Sequence, residues 1–394
     1  MTGIQEKKVK VLSIFGTRPE AIKMAPVIKE LESCPDVESR VVVTAQHREM
    51  LDQVLATFHL RPDYDLEVMR PGQDLFDVTG AVLKGLKDII AFERPDLVLV
   101  HGDTTTTFTG ALAAFYSQIP VGHVEAGLRT YQKYSPYPEE INRVLTTHLT
   151  DLHFAPTDRS RDALLKEGIS GEKIYITGNS VIDALNLALE QPCCLAPEIS
   201  QAFRENRRII LLTTHRRENL GAPLQDVYLA LREMLLSHPD VGVVFPVHKN
   251  PAVRREVASV LSGVERVYLT EPLDYLPFIN VMKMSYLVLT DSGGIQEEAP
   301  ALGKPVLVLR EVTERPEAVS FGTALLIGTD RRKIEVGVSR LLDDEDAYMG
   351  MANAVNPYGD GRAAVRIVQA IHSYFGLGRP PADFSPAGNA EKYF

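Results

Sequence analysis

VKVLSIFGTRPEAIKMAPVIKELE, residues 9–32, is the stretch from which the fold can be read. VKVLSIF (9–15) is apolar at most positions, the pattern of a strand buried on both faces. RPEAIKMAPVIKELE (18–32) changes to helical spacing, with Ile22, Ala25, Pro26, Ile28 and Leu31 in its apolar set. Gly16 at the turn and Pro19 near the helix start mark the junction. Pro26 falls in the helix interior, where proline tends to kink the chain.

The same alternation continues outward. VVVTA (41–45), DLVLVHG (96–102), PVGHV (120–124), LHFA (152–155) and KIYITG (173–178) read as strands. Helices are predicted near 74–92, 104–117, 138–149 and 158–168. Residues 191–207, QPCCLAPEISQAFRENR, carry two prolines and no strand, and read as a linker. The rhythm then restarts with RIILLTT (208–214), VGVVFPV (241–247), RVYLT (266–270), YLVLT (286–290), PVLVL (305–309) and TALLIG (323–328). Continuous apolar strands separated by helices imply parallel sheets covered on both faces. The expectation is an α/β protein with two doubly wound, Rossmann-like domains, 1–190 and 208–360. The last residues, 376–394, are rich in Pro, Gly and Ala and read as a loose tail.

Composition narrows the function classes. The chain has 394 residues, 24% of them charged, and a net charge of −10. That balance disfavours nucleic acid, which needs a basic face, but not a small anion held by a few local cations. Three cysteines, Cys34, Cys193 and Cys194, form no C-x-x-C pattern, so neither a disulfide framework nor a zinc-thiolate motif is indicated. No apolar run is long enough to span a membrane, and a cytoplasmic enzyme is expected.

In open parallel sheets, ligands bind beyond the carboxyl ends of the strands. The residues placed there are distinctive. Arg18 could meet a phosphate at a helix start, or be a surface arginine at a turn. Asp103, in HGDTTTT, could be a helix cap or a strand-end carboxylate. HVEAGLR repeats a histidine two residues before an acid, His123 and Glu125. Two such pairs raise a metal site, but a third ligand in a recognisable arrangement is missing, and the reading is no metal. Glu139 opens a helix, where an acid opposes the helix dipole; it would also be a third carboxylate at one rim. The second half answers with cations: His215, Arg216, His248, Lys249 and Arg315. Ser292-Gly293-Gly294 precedes a helix, and Glu298 follows about one turn later. Such a start can cradle a phosphate, while the carboxylate accepts ribose hydroxyls. No G-x-x-x-x-G-K-[ST] or G-x-G-x-x-G occurs, so neither a P-loop nor a dinucleotide site is indicated.

FGTRPEAIKMAPVI, TAQHREMLDQV, HGDTTTT, GHVEAGLRT, PEEINR, HRREN, DSGGIQEEAP, GKPVLVLR and TERPEA, in this order, closely resemble the bacterial non-hydrolysing UDP-N-acetylglucosamine 2-epimerases. The resemblance covers nearly the whole chain. It implies a glycosyltransferase-B-like fold, two domains facing a cleft, with a C-terminal helix (361–375) crossing back to the first. It implies reversible conversion of UDP-GlcNAc to UDP-ManNAc for cell-surface polysaccharide, a homodimer and no redox cofactor. By that resemblance Asp103, Glu125 and Glu139 match the catalytic carboxylates, and His215 the histidine near the phosphates. Arg18, Lys23, Phe278, Ser292, Gly293, Gly294, Glu298 and Arg315 match UDP-binding positions. Gln46, Arg70, Arg216 and His248 match a neighbouring site at which substrate activates many members. Family members often have Gly where this chain has Thr214. A hydrolysing epimerase, a glycosyltransferase of the same fold and a non-enzymatic sugar-nucleotide sensor are the competing readings.

Overall fold

The computed structural model describes residues 8–44, 48–70, 72–216 and 219–386. The chain divides into two compact units; one runs to Ala188 and takes in Tyr358–Ser385, and the other spans Leu189–Pro357. Each is a doubly wound α/β layer, the class expected.

The first unit holds β1 (Val9–Phe15), β2 (Val37–Val43), β3 (Tyr64–Asp65), β4 (Leu97–His101), β5 (Val121–Val124), β6 (Leu152–Ala155) and β7 (Ile174–Ile176). Their order is β3-β2-β1-β4-β5-β6-β7, every pair parallel. The second holds β8 (Arg208–Thr213), β9 (Val241–Pro246), β10 (Val267–Thr270), β11 (Leu287–Thr290), β12 (Val306–Val308) and β13 (Ala324–Leu326). It repeats the plan as β10-β9-β8-β11-β12-β13, again all parallel. The order reverses between β1 and β4 and between β8 and β11. At those points the loops diverge and leave a crevice at the strand ends.

Burial explains the strands. Leu12, Ile14, Val98 and Val100 are fully buried against Val82, Leu86 and Ile90 of the helix Leu75–Glu93. In the second unit Ile210, Leu212, Val243 and Phe245 pack with Tyr228 and Leu231 of the helix Ala222–Ser237. The helix Arg18–Ser33 begins with a capping box: Thr17 caps it and Glu20 returns the bond. It runs through Pro26 without a break in its assignment.

Three segments differ from what composition suggested. Within 191–207, Pro197–Glu205 is a helix with Ile199 and Ala202 fully buried, so much of the expected linker belongs to the second unit's packing. β3 has only two residues and no periodic pattern. The expected loose tail, 376–394, is docked as far as it is described. Ile176 N–H donates to Asp383 Oδ1 at 2.9 Å, Phe384 N–H donates to the Ile176 carbonyl at 2.6 Å, and the Phe384 side chain is buried. The helix Ala363–Tyr374 lies in the first unit, where the Ala363 and Ala364 amides donate to Asp183 at 3.2 and 2.9 Å. Among the described residues, no helix is long and apolar enough to cross a membrane.

Candidate active site

The first unit gathers its site residues at the strand ends around β1, β4 and β5. Gly16 leaves no room for a side chain: a Cβ there would lie 2.1 Å from Thr44 Oγ1. Beyond it, the buried Glu20 ties two loops together. Its Oε2 accepts from Gly16 N–H (3.0 Å) and Thr17 N–H (2.7 Å), and its Oε1 from the hydroxyls of Thr104 (2.7 Å) and Thr107 (3.0 Å). Burial raises the Glu20 pKa against those bonds. Arg18 and Lys23 project from the helix so fixed.

Lys23 makes a short ion pair with Glu125 Oε1, which also accepts from Asn179 Nδ2 at 3.0 Å. Glu125 sits just past β5 with φ +64°, in the left-handed region that an acidic side chain adopts at a cost of about 1–2 kcal/mol. His101 Nε2 lies 3.7 Å from Glu125 Oε2, but burial pushes the His101 pKa down to about 3, so it stays neutral and Lys23 supplies the positive charge. His123 is fully buried, bonds the Gly102 carbonyl at 2.6 Å and is pushed by burial to about 4. It packs as a neutral core histidine.

Asp103 is not the helix cap. Thr104 caps the helix Thr105–Tyr116, and Asp103 instead pairs with Arg143. Burial raises the Asp103 pKa, Glu125 and Glu139 push it the same way, and Arg143 opposes them. Asp103 therefore feels both other carboxylates. Glu139 is half-buried in the first turn of the helix Glu139–Leu149. Its neighbour Glu140 is buried and structural, accepting from the Thr130 and Tyr131 amides and from Arg143.

In the second unit the centre is Asp291. It is fully buried and accepts from the amides of His215 (2.9 Å) and Arg216 (2.9 Å), from Asn219 Nδ2 (3.3 Å), and from His215 Nδ1 at 2.9 Å. Burial opposes its ionisation, yet the hydrogen bonds from His215 and the amides hold its pKa below the ordinary value. The carboxylate thus fixes the His215 tautomer with the proton on Nδ1 and directs Nε2 away from itself. The His215 and His248 rings are 6.1 Å apart, and His248 Nδ1 accepts from Asn250 N–H. Arg216 Nε reaches the Asp291 carbonyl at 3.4 Å.

Ser292, Gly293 and Gly294 follow β11 and precede the helix Ile295–Ala301. Neither glycine has positive φ, and a Cβ on either would meet nothing within 4 Å. Their use is open space over the backbone amides, not backbone freedom. Glu298 Oε1 accepts from Tyr275 O–H at 2.9 Å, and burial and Glu298 raise the Tyr275 pKa. Phe278 is half-buried on the same helix, Tyr275–Met284. Arg315 makes a short ion pair with Glu297, which is only 2% exposed, so this cation has a structural partner as well as its expected ligand.

The activation candidates divide. Gln46 lies outside the described residues. Arg70 is exposed on the first unit, at a groove of about 760 Å³ shared with Leu66, Gln73, Phe76 and Lys84. Arg216 and His248 belong to the second unit. Sequence reasoning passed over Glu20, Arg143, Asn179, Tyr275, Asp291 and Glu297. Arg143 and Asp291 stand inside motifs already singled out, PEEINR and DSGGIQEEAP, and could have been found there; nothing in the sequence marks Asn179.

Residues 29–372 match the family model described as UDP-N-acetylglucosamine 2-epimerase. The UDP-N-acetylglucosamine 2-epimerase of Salmonella typhimurium is 56% identical over 372 residues, covering 93% of this chain and 99% of the relative. The solved UDP-GlcNAc 2-epimerase of Neisseria meningitidis, bound to UDP-GlcNAc, is 50% identical with a TM-score of 0.84, covering 93% of this chain and all of the other. That of Methanocaldococcus jannaschii, in complex with UDP-GlcNAc and UDP, is 34% identical with a TM-score of 0.74, at 93% and 100% coverage.

Proposed function

The chain belongs to the UDP-N-acetylglucosamine 2-epimerase family, and on that premise we propose that it interconverts UDP-GlcNAc and UDP-ManNAc without hydrolysis. The C2 hydrogen of the sugar is not next to a carbonyl and is barely acidic. Departure of UDP makes it labile. The C1–O bond breaks with its electron pair going to UDP. A carboxylate takes the C2 proton, and the C1=C2 bond of a 2-acetamidoglucal forms. Re-addition of UDP at C1, with proton delivery to the opposite face of C2, completes inversion. No electrons are gained or lost, so no redox cofactor enters.

The observation that supports this reading is, in one unit, the Asp103 carboxyl raised by burial and by Glu125 and Glu139, and, in the other, a carboxylate-fixed histidine and an open glycine turn. Opposite faces of C2 need two proton-handling groups, which a cluster of acids supplies. His215, Arg18, Arg315 and the amides of 292–294 are assigned to the departing diphosphate, and Lys23 to the same ligand while it holds Glu125. Glu298 and Phe278 are assigned to the uridine end. The reading needs both units to serve one substrate molecule and to exclude water while the glycal is present. It extends to a homodimer in the cytoplasm, activated by UDP-GlcNAc through Gln46, Arg70, Arg216 and His248, that feeds cell-surface polysaccharide.

The test is incubation of the purified protein with UDP-GlcNAc alone in deuterated water. UDP-ManNAc carrying deuterium at C2 is the expected product. Free ManNAc and UDP would make it a hydrolysing enzyme, and no reaction would leave a transferase or a sensor.

A further inference from the structure

Apart from the residues assigned above, the first unit brings a thiol, a carboxylate and an imidazole together. Cys34 is the C-cap of the helix Arg18–Ser33. Asp36 stands two residues on, just before β2, with its backbone fixed by the bond from Val9 N–H to its carbonyl at 2.9 Å. His372 comes from the last turn of the helix Ala363–Tyr374. One ligand atom from each lies within 4.8 Å of the other two. His372 Nε2 is 3.4 Å from Asp36 Oδ1, yet it is buried and makes no hydrogen bond among the described residues. The Cys34 thiol donates to the Glu30 carbonyl at 3.3 Å.

We propose that Cys34, Asp36 and His372 form a binding site for a zinc-class divalent cation, with water as the fourth ligand. The donor set selects the metal. A thiolate and an imidazole with one carboxylate suit zinc or cobalt; magnesium and calcium take oxygen. Bonds of about 2.0–2.3 Å in a tetrahedron place the ligand atoms roughly 3.3–3.7 Å apart, so the three side chains must close by about an ångström. All three are half-buried, which admits the ion and its water without exposing the thiol fully. Binding releases the thiol proton to solvent and leaves the thiolate, imidazole and carboxylate as ligands. The site needs neither Asp103, Glu125 nor His215. Its physical consequence is a clasp: it fastens the helix Ala363–Tyr374, from the end of the chain, to the helix that carries Arg18 and Lys23.

Cobalt(II) titration of the full chain, followed by absorption, tests it. The expected result is a thiolate-to-cobalt charge-transfer band that saturates at one equivalent and is abolished by excess zinc. Cys34→Ser should lose the band, His372→Gln should weaken cobalt binding at least tenfold, and the double change Cys193→Ser, Cys194→Ser should leave both unchanged. Zinc should also raise the melting temperature of the wild type but not of Cys34→Ser, which keeps the test valid if a variant is less stable. No band in the wild type, or a band that survives Cys34→Ser, overturns the site and leaves Asp36–His372 a plain ion pair.

Discussion

The two units have the same strand plan and opposite electrostatic designs. In the first, acids occupy the strand ends and each is held by a base or by amides: Glu125 by Lys23 and Asn179, Asp103 by Arg143, Glu20 by the Gly16 and Thr17 amides. In the second, the exposed group is a base, His215, and the acid that holds it, Asp291, is fully buried beneath. One doubly wound layer can therefore present either an acid or a base from its strand ends. What changes is which partner is buried. The first unit's acids remain chemically adjustable because burial and mutual repulsion raise Asp103. The second unit's acid is locked ionised, and its role is to orient.

Glu125→Gln strikes this contrast hardest. It should lower kcat by about 10³-fold while UDP affinity stays near the wild-type value. Wild-type exchange at C2 in deuterated water would remove Glu125 from the chemistry. Asp291→Asn should cost about 10²-fold in kcat, by losing the tautomer of His215. Adding His215→Gln should then cost little more, because the two act as one unit; additive losses in steady-state assays would separate them.

A third measurement concerns stability alone. Burial raises the Asp183 carboxyl to about 6 against the bonds from Ala363 and Ala364. Between about 4 and 6 the folded chain keeps a proton that the unfolded chain has lost. Stability should therefore fall by about 2–3 kcal/mol as pH rises through that window. Asp183→Asn should flatten this part of a melting-temperature profile; an unchanged slope would assign the dependence elsewhere. The smallest expected effect is on the pH profile of kcat/KM. Arg143 opposes the raised pKa of Asp103. Arg143→Met should thus move whichever limb Asp103 controls to higher pH, and a fixed profile would break the proposed link.

Most of the architecture was readable because buried parallel strands are largely apolar: twelve segments such as VKVLSIF and LHFA need no partner to be recognised. β3 was not, since Tyr64–Asp65 is defined by pairing with β2 rather than by its own pattern. The helix Pro197–Glu205 hid behind its prolines, although Pro197 occupies the first helical turn, where proline is favoured. In the site, the strand-end acids stood out by position, but their keepers did not. Asn179 lies 54 residues from Glu125 and Asp291 lies 76 from His215, and such pairings are set by strand order, not by local spacing. Asp103 shows the limit of local pattern from the other side. Local pattern left it open between a cap and a strand-end carboxylate; the structure gives the cap to Thr104 and pairs Asp103 with Arg143.

The docking of Asp383 and Phe384 on β7 has a consequence for biosynthesis. β7 is an outer strand of the first sheet, and Asp383, which accepts from it, is translated 207 residues after Ile176. While the intervening residues are translated, that strand has an uncovered flank, open to the wrong neighbour. The first sheet must therefore wait for Asp383 and Phe384, and its own synthesis does not complete its fold.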